Sequence, residues 1–203
     1  MGVITEISTQ KNKKRVNIFV DGEFVSGLSF ETAAKYRLNT GKVIDEKELL
    51  AIIFESELQS AFSAGLDCIA QTSKSGYEVK QKLIKKGFKP EVIDSAIEKL
   101  KSYGYIDDKA YAVTFVKLNS RRSKRELEQK LKLKGISHEA IIDALGGISG
   151  DEEYQNALVY AEKYVKNKQW TDKVRQNLYA GLIRKGFSFD TASRVIEEIK
   201  GKE

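Results

Sequence analysis

The sequence predicts a mainly α protein: tandem repeats of a three-helix unit in an elongated curved array, preceded by a small N-terminal β element. Three observations carry that expectation. The 203 residues contain a single proline, Pro90, and proline is the residue that helix interiors exclude. One block of residues recurs three times in register. Only the first 30 residues show period-two alternation instead of helical spacing.

The β element comes first. Val16, Ile18 and Val20 alternate up to Asp21-Gly22, and Phe24-Val25 follow, the pattern of a hairpin whose two central residues take positive φ. Val3 to Ser8 supplies a third strand. Between them lies the basic run Lys11, Lys13, Lys14 and Arg15, read as a solvated connection. Residues 31–45 read as a short helix and linker.

The repeat superposes on Gly87, Gly135 and Gly186, which lie 48 and 51 residues apart. Eight residues before each glycine stand Val79, Leu127 and Leu178, and four before stand Leu83, Leu131 and Leu182. This i, i+4 pair makes one apolar face. After the glycines, Ile97, Leu145 and Ile196, then Leu100, Ile148 and Ile199, give the next helix its own stripe. Each glycine is placed to end a helix with positive φ, and Phe88, Ile136 or Phe187 to make the accompanying apolar contact. Pro90 suits the first position of the next helix. Ser75-x-x-Glu78 and Ser123-x-x-Glu126 read as capping boxes, Thr171-x-x-Val174 lacks the acid, and Asp45-x-x-Glu48 caps the first repeat. Helical stretches Leu58 to Gln71, Asp108 to Asn119 and Asp151 to Asn167 precede the capped helices. The expected division is therefore 46–103, 104–150 and 151–203 for the three repeats. Each is small, so neighbours are expected to stack to bury their apolar faces.

The net charge of +6 is unevenly spread. Ser73 to Pro90 carries +5, Lys117 to Gly135 carries +6 and Lys163 to Gly186 carries +6, leaving the remainder at −11. Lys74, Arg122 and Lys173 all stand thirteen residues before the glycine, and Lys86, Lys134 and Lys185 one before it. Repeated cations form rows that suit a polyanion. Lysines in a last helical turn also complement the helix dipole. That explanation is weaker for Arg121-Arg122-x-Lys124-Arg125, at a helix start where the dipole disfavours cations, which makes this cluster the strongest binding candidate.

Other residues read as structural. Cys68 sits among Leu66, Ile69 and Ala70 as a small apolar side chain. Asp107-Asp108 precedes a helix and suits a cap. His138 fits a solvated helix start, and Trp170 a packing anchor. One histidine and one cysteine cannot build the usual zinc sites. Neither Gly-x-Gly-x-x-Gly nor a Walker-type loop occurs, and no nucleophile, base and orienter assemble. No cofactor, metal, membrane span or enzymatic activity is expected.

Ser102-Tyr103-Gly104-Tyr105-Ile106-Asp107-Asp108-Lys109-Ala110-Tyr111-Ala112, with Arg121-Arg122-Ser123-Lys124-Arg125-Glu126-Leu127 and Lys130-Leu131-x-x-Lys134-Gly135-Ile136, resembles the RecX family, regulators of the RecA recombinase. The resemblance runs over about residues 60 to 200. It implies a cytoplasmic protein that binds the RecA filament on single-stranded DNA and lowers its ATP hydrolysis, strand exchange and co-protease activity. DNA repair, homologous recombination and the SOS response would thereby be modulated. It also implies some direct contact with single-stranded, and in part double-stranded, DNA. The family's basic surface falls on Lys74, Lys82, Lys86, Arg121, Arg122, Lys124, Arg125, Lys130 and Lys134, to which the rows add Lys173 and Lys185. The third repeat departs most, with Gly181 where its siblings have Lys82 and Lys130. A monomer is expected.

Two other readings remain at this level. A sequence-reading DNA-binding protein is one, since two helices joined at a glycine resemble a helix-turn-helix. Against it, the presumed recognition helices carry Glu91, Asp94, Glu139, Asp143 and Asp190, which repel phosphate. The other is an adaptor whose cations meet an acidic protein.

Overall fold

The computed structural model describes residues 1–11 and 14–201; Lys13 of the basic run lies outside them. The chain is mostly helical with a four-stranded antiparallel sheet at its N-terminus, in two compact units, Met1–Ile106 and Asp107–Glu203.

In the first unit, β1 (Gly2–Thr9), β2 (Arg15–Val20), β3 (Glu23–Ser29) and β4 (Val43–Ile44) assemble in the order β3-β2-β1-β4. The β2–β3 turn is the one the sequence specifies: Asp21 and Gly22 take φ of 49° and 89°. Arg15 is the first residue of β2, and its guanidinium donates to the Gly27 carbonyl of β3. The two-residue β4 was not foreseen. It pairs Gly2 with Ile44 and Val3 with Val43, too short a run for alternation to show. The short helix α1 (Phe30–Lys35) is capped by Ser29.

Residues 46 to 71, expected as a capped start and a separate stretch from Leu58, form one continuous 26-residue helix, α2 (Glu46–Gln71). Its length and composition would suffice to cross a membrane; one part of its apolar residues serves two protein cores, while Leu50 and Phe54 are exposed. Leu49, Ile52 and Ile53 pack with Ile4, Val16, Ile18 and Leu28 of the sheet. About two turns further on, Ala61 packs with Val79, Leu83, Val92, Ile93, Ala96 and Leu100, from α3 (Gly76–Lys85) and α4 (Pro90–Ser102). At Gly65 a Cβ would stand 2.6 Å from Leu100 Cδ1, so the glycine sets how closely α2 and α4 approach.

The second unit contains α5 (Asp108–Leu118), α6 (Lys124–Leu133), α7 (His138–Gly146), α8 (Gly150–Val165), α9 (Asp172–Arg184) and α10 (Phe189–Lys200). α5 to α7 enclose Ala112, Val116, Leu127, Leu131, Ile136 and Ile141. α8 to α10 enclose Ala157, Ala161, Leu178, Leu182, Val195 and Ile199. Each three-helix segment thus holds a core of its own, instead of one apolar core shared across stacked neighbours. Trp170 and Cys68 pack against such cores. Asp107 caps α5 by accepting from Ala110 N.

The helix ends follow the sequence closely. Gly87, Gly135 and Gly186 have φ of 83°, 70° and 90°. Behind them Phe88, Ile136 and Phe187 donate to the carbonyls of Leu83, Leu131 and Leu182, completing a Schellman motif each time. The helix starts depart in three places, the first at α2, where Asp45 accepts from Lys47 N instead of forming a box with Glu48. Ser75 and Glu78 form the full box, whereas Ser123 accepts from Glu126 N but the Glu126 carboxylate turns to Arg122. An unforeseen box, Ser149 with Glu152, opens α8.

Candidate functional site

The eleven basic candidates fall on elements whose starts decide where they point. In the first unit, Lys74 immediately precedes the cap Ser75, and Glu78, Lys82 and Lys86 follow at intervals of four, along one helix face. The adjacent face buries Val79 and Leu83. Glu78 is committed to the cap, with its carboxylate 3.1 Å from Ser75 N. Lys74, Lys82 and Lys86 therefore line one groove of about 490 Å³, with Tyr77 and the end of α2. Other lysines of this region are paired elsewhere: Lys80 lies 2.6 Å from Asp94 and Lys89 4.0 Å from Glu57.

The second unit repeats this face as Arg122, Glu126, Lys130 and Lys134, with different bonding. Glu126 engages Arg122 and lies 4.0 Å from Lys130. The Lys134 ammonium lies 5.6 Å and 5.8 Å from the ring centres of Tyr111 and Phe115, a cation–π contact. Farther along α6, Lys132 holds the Glu128 carboxyl below its usual range, chiefly by a direct hydrogen bond. On α5 the Lys109 ammonium is pushed above its usual value by Glu139.

Ser123 ties the two segments of this unit together. Its hydroxyl accepts from Glu126 N and donates to the Lys185 carbonyl at 2.6 Å. Asn156 of α8 also donates to Ser120 O at 2.6 Å. These bonds bring Lys185 beside Arg121 and Arg122, and the three cations line a groove of about 510 Å³ with Leu118, Tyr160 and Glu126. Arg121 and Arg122 stand at the α6 start, where the helix dipole disfavours cations, whereas Lys185 ends α9, where it favours them.

Among the described residues, no carboxylate pairs within 4.0 Å with the side-chain charge of Lys74, Lys82, Lys86, Arg121, Lys124, Arg125, Lys173 or Lys185, although the Lys124 backbone N–H donates to the Glu153 carboxylate at 3.3 Å. Lys124 and Arg125 open α6. Lys173 does not continue the row of Lys74 and Arg122: Thr171 caps α9, so Lys173 is the second residue inside that helix, whereas the others precede their caps. α9 starts about one turn earlier relative to its glycine. Spacing alone did not reveal the meeting of Lys185 with Arg121, or the tyrosine in each groove. Gly181 explains the second: a Cβ there would stand 2.9 Å from the Tyr160 hydroxyl, so losing the lysine of the sibling repeats makes room for that ring. Among the described residues no group of three histidine, cysteine or carboxylate side chains is placed to hold a metal.

The comparisons with known proteins agree along the chain. Residues 2–45 match the regulatory protein RecX N-terminal domain, 61–100 the first RecX three-helix domain, and 151–196 the third. The chain belongs to the RecX family of regulatory proteins. It is 34% identical to regulatory protein RecX of Bacillus licheniformis, over 98% of this chain and 78% of that one. To the RecX of Clostridium botulinum strain Alaska E43 it is 33% identical, over 98% and 96%. A crystal structure of regulatory protein RecX covers 97% of this chain and 100% of its own, with a TM-score of 0.73 at 27% identity. RecX from Lactobacillus salivarius shares the fold, with a TM-score of 0.64 at 23% identity, over 71% of this chain and 97% of that one.

Proposed function

We propose that this RecX-family chain binds the RecA filament on single-stranded DNA and lowers its ATP hydrolysis, strand exchange and co-protease activity. It thereby tunes DNA repair, recombination and the SOS response in the cytoplasm. The observation that carries the reading is a groove in each unit, at the start of a capped helix, lined by three cations. Grooves of this kind suit a polyanion whose charges repeat, as a nucleoprotein filament's do. The protein acts by occupancy, as a monomer with neither cofactor nor catalytic step, and the segments 46–103, 104–150 and 151–203 are its working parts. Lys124, Arg125, Lys130, Lys134 and Lys173 extend the surface around the grooves.

Direct action on DNA is the second reading, favoured by the same cations. A helix-turn-helix mode is disfavoured, because α4, α7 and α10 present Glu91, Glu139 and Asp190 in their first turns. The test is the single-stranded-DNA-dependent ATPase of the recombinase, titrated with wild-type protein and with Arg121, Arg122 and Arg125 changed to Glu. Inhibition by the wild type, lost in the folded variant, is the expected result. An ATPase unchanged at saturating wild-type protein overturns the reading.

A further inference from the structure

Both grooves contain something that charge attraction does not require. Each sets a single tyrosine beside its three cations. In the first, Tyr77 is the second residue of α3, 47% exposed, beside Lys74, Lys82 and Lys86. In the second, Tyr160 comes from a different helix, α8, and is held there by the space over Gly181. Leu118, 81% exposed, adds an apolar surface to the same groove. The tyrosines thus enter their grooves by separate routes, Tyr77 from within the capped helix and Tyr160, half-buried against the α8–α10 core, from the neighbouring segment.

We infer that each groove holds a nucleotide of single-stranded DNA, the cations on the backbone and the tyrosine ring against the base. The inference rests on the proposal that these cations face nucleic acid. Aromatic rings stack on any base, so the mode reads no sequence, and a duplex offers no free base face to meet it. The groove volumes, about 490 and 510 Å³, fall in the range of small-ligand sites. Glu78 and Glu126 are taken up by the helix cap and by Arg122 respectively. Asp67 is the carboxylate in the first groove that opposes a phosphate. Two such sites, one in each unit, give the protein a preference for single strands that cations alone would not supply.

The test uses fluorescence anisotropy with labelled oligo(dT), an abasic strand of equal length and a duplex, without recombinase. Tyr77→Ala is expected to weaken oligo(dT) binding about fivefold or more while leaving the abasic strand and the salt slope unchanged. Tyr77→Phe keeps the affinity. Lys82→Ala weakens both strands and reduces the salt slope by about 0.7. Equal loss on oligo(dT) and the abasic strand, or no loss on either, overturns the inference. So does absence of strand binding by folded wild-type protein at low salt. If that preparation still inhibits the recombinase ATPase, the proposed function stands and the grooves meet protein instead.

Discussion

Gly186→Ala separates two costs that Gly87→Ala does not combine. Both glycines hold left-handed backbone, with φ of 90° and 83°, and a Cβ there costs about 1 kcal/mol. At Gly87 nothing lies within 4 Å of the added atom, so about 1 kcal/mol is the whole effect. At Gly186 the Cβ would stand 2.7 Å from Ser123 Oγ and 3.1 Å from Arg125 Cβ. Ser123 must then move, losing its bond to the Lys185 carbonyl and weakening the α6 cap, at about 1 kcal/mol each. The expected totals are about 1 kcal/mol for Gly87→Ala and about 3 kcal/mol for Gly186→Ala. Urea unfolding followed by circular dichroism measures both, and Trp170, the single tryptophan, reports on the third segment by fluorescence. Equal losses for the two variants would refute the claim that Ser123 joins α6 to the end of α9.

The serine caps give a related comparison: Ser75→Ala should cost about 1 kcal/mol, and Ser123→Ala about 2 kcal/mol because it also leaves the Lys185 carbonyl unmatched. Denaturant midpoints decide it. Gly181→Ala gains about 1 kcal/mol of helix propensity but displaces the Tyr160 hydroxyl; stability should change by less than about 1 kcal/mol while the Tyr160 ring resonances shift in NMR spectra. In the first unit, hydrogen bonds from Lys35 and Tyr36 hold the Glu55 carboxyl below its usual value near 4.5. Its stabilisation is therefore full above the unfolded value and is lost as pH falls through the lower folded value. The Lys35 ammonium, raised mainly by its hydrogen bond to Glu55, gives stabilisation lost as pH rises through its raised value. Unfolding midpoints should fall more steeply on both flanks in wild type than in Glu55→Gln, and equal slopes would contradict this.

Much of the fold was legible because it is written locally. The Schellman glycines, the Asp21-Gly22 turn and the Ser75 box each need only a few neighbouring residues. What escaped depends on competition or distance. Glu126 left its expected cap partner because Arg122, four residues earlier on the same face, offers a charge. The break expected before Leu58 is absent because one helix serves two cores in succession. Of the candidate site, the cation faces 74-82-86 and 122-130-134 could be read from spacing. The approach of Lys185 to Arg121 could not, since it hangs on a backbone carbonyl 62 residues from Ser123. Nor did the sequence show that losing a lysine at Gly181 admits Tyr160.

The measurement that bears most directly on the central claim is equilibrium binding of the protein to preassembled recombinase filament, held by a non-hydrolysable nucleotide, as salt is raised. Wild type should bind saturably and weaken with salt, while Lys82→Glu and Arg121→Glu weaken it at low salt and flatten the salt dependence. Wild-type binding that is absent, or that ignores both salt and these reversals, would contradict the assignment of the cationic grooves to the filament.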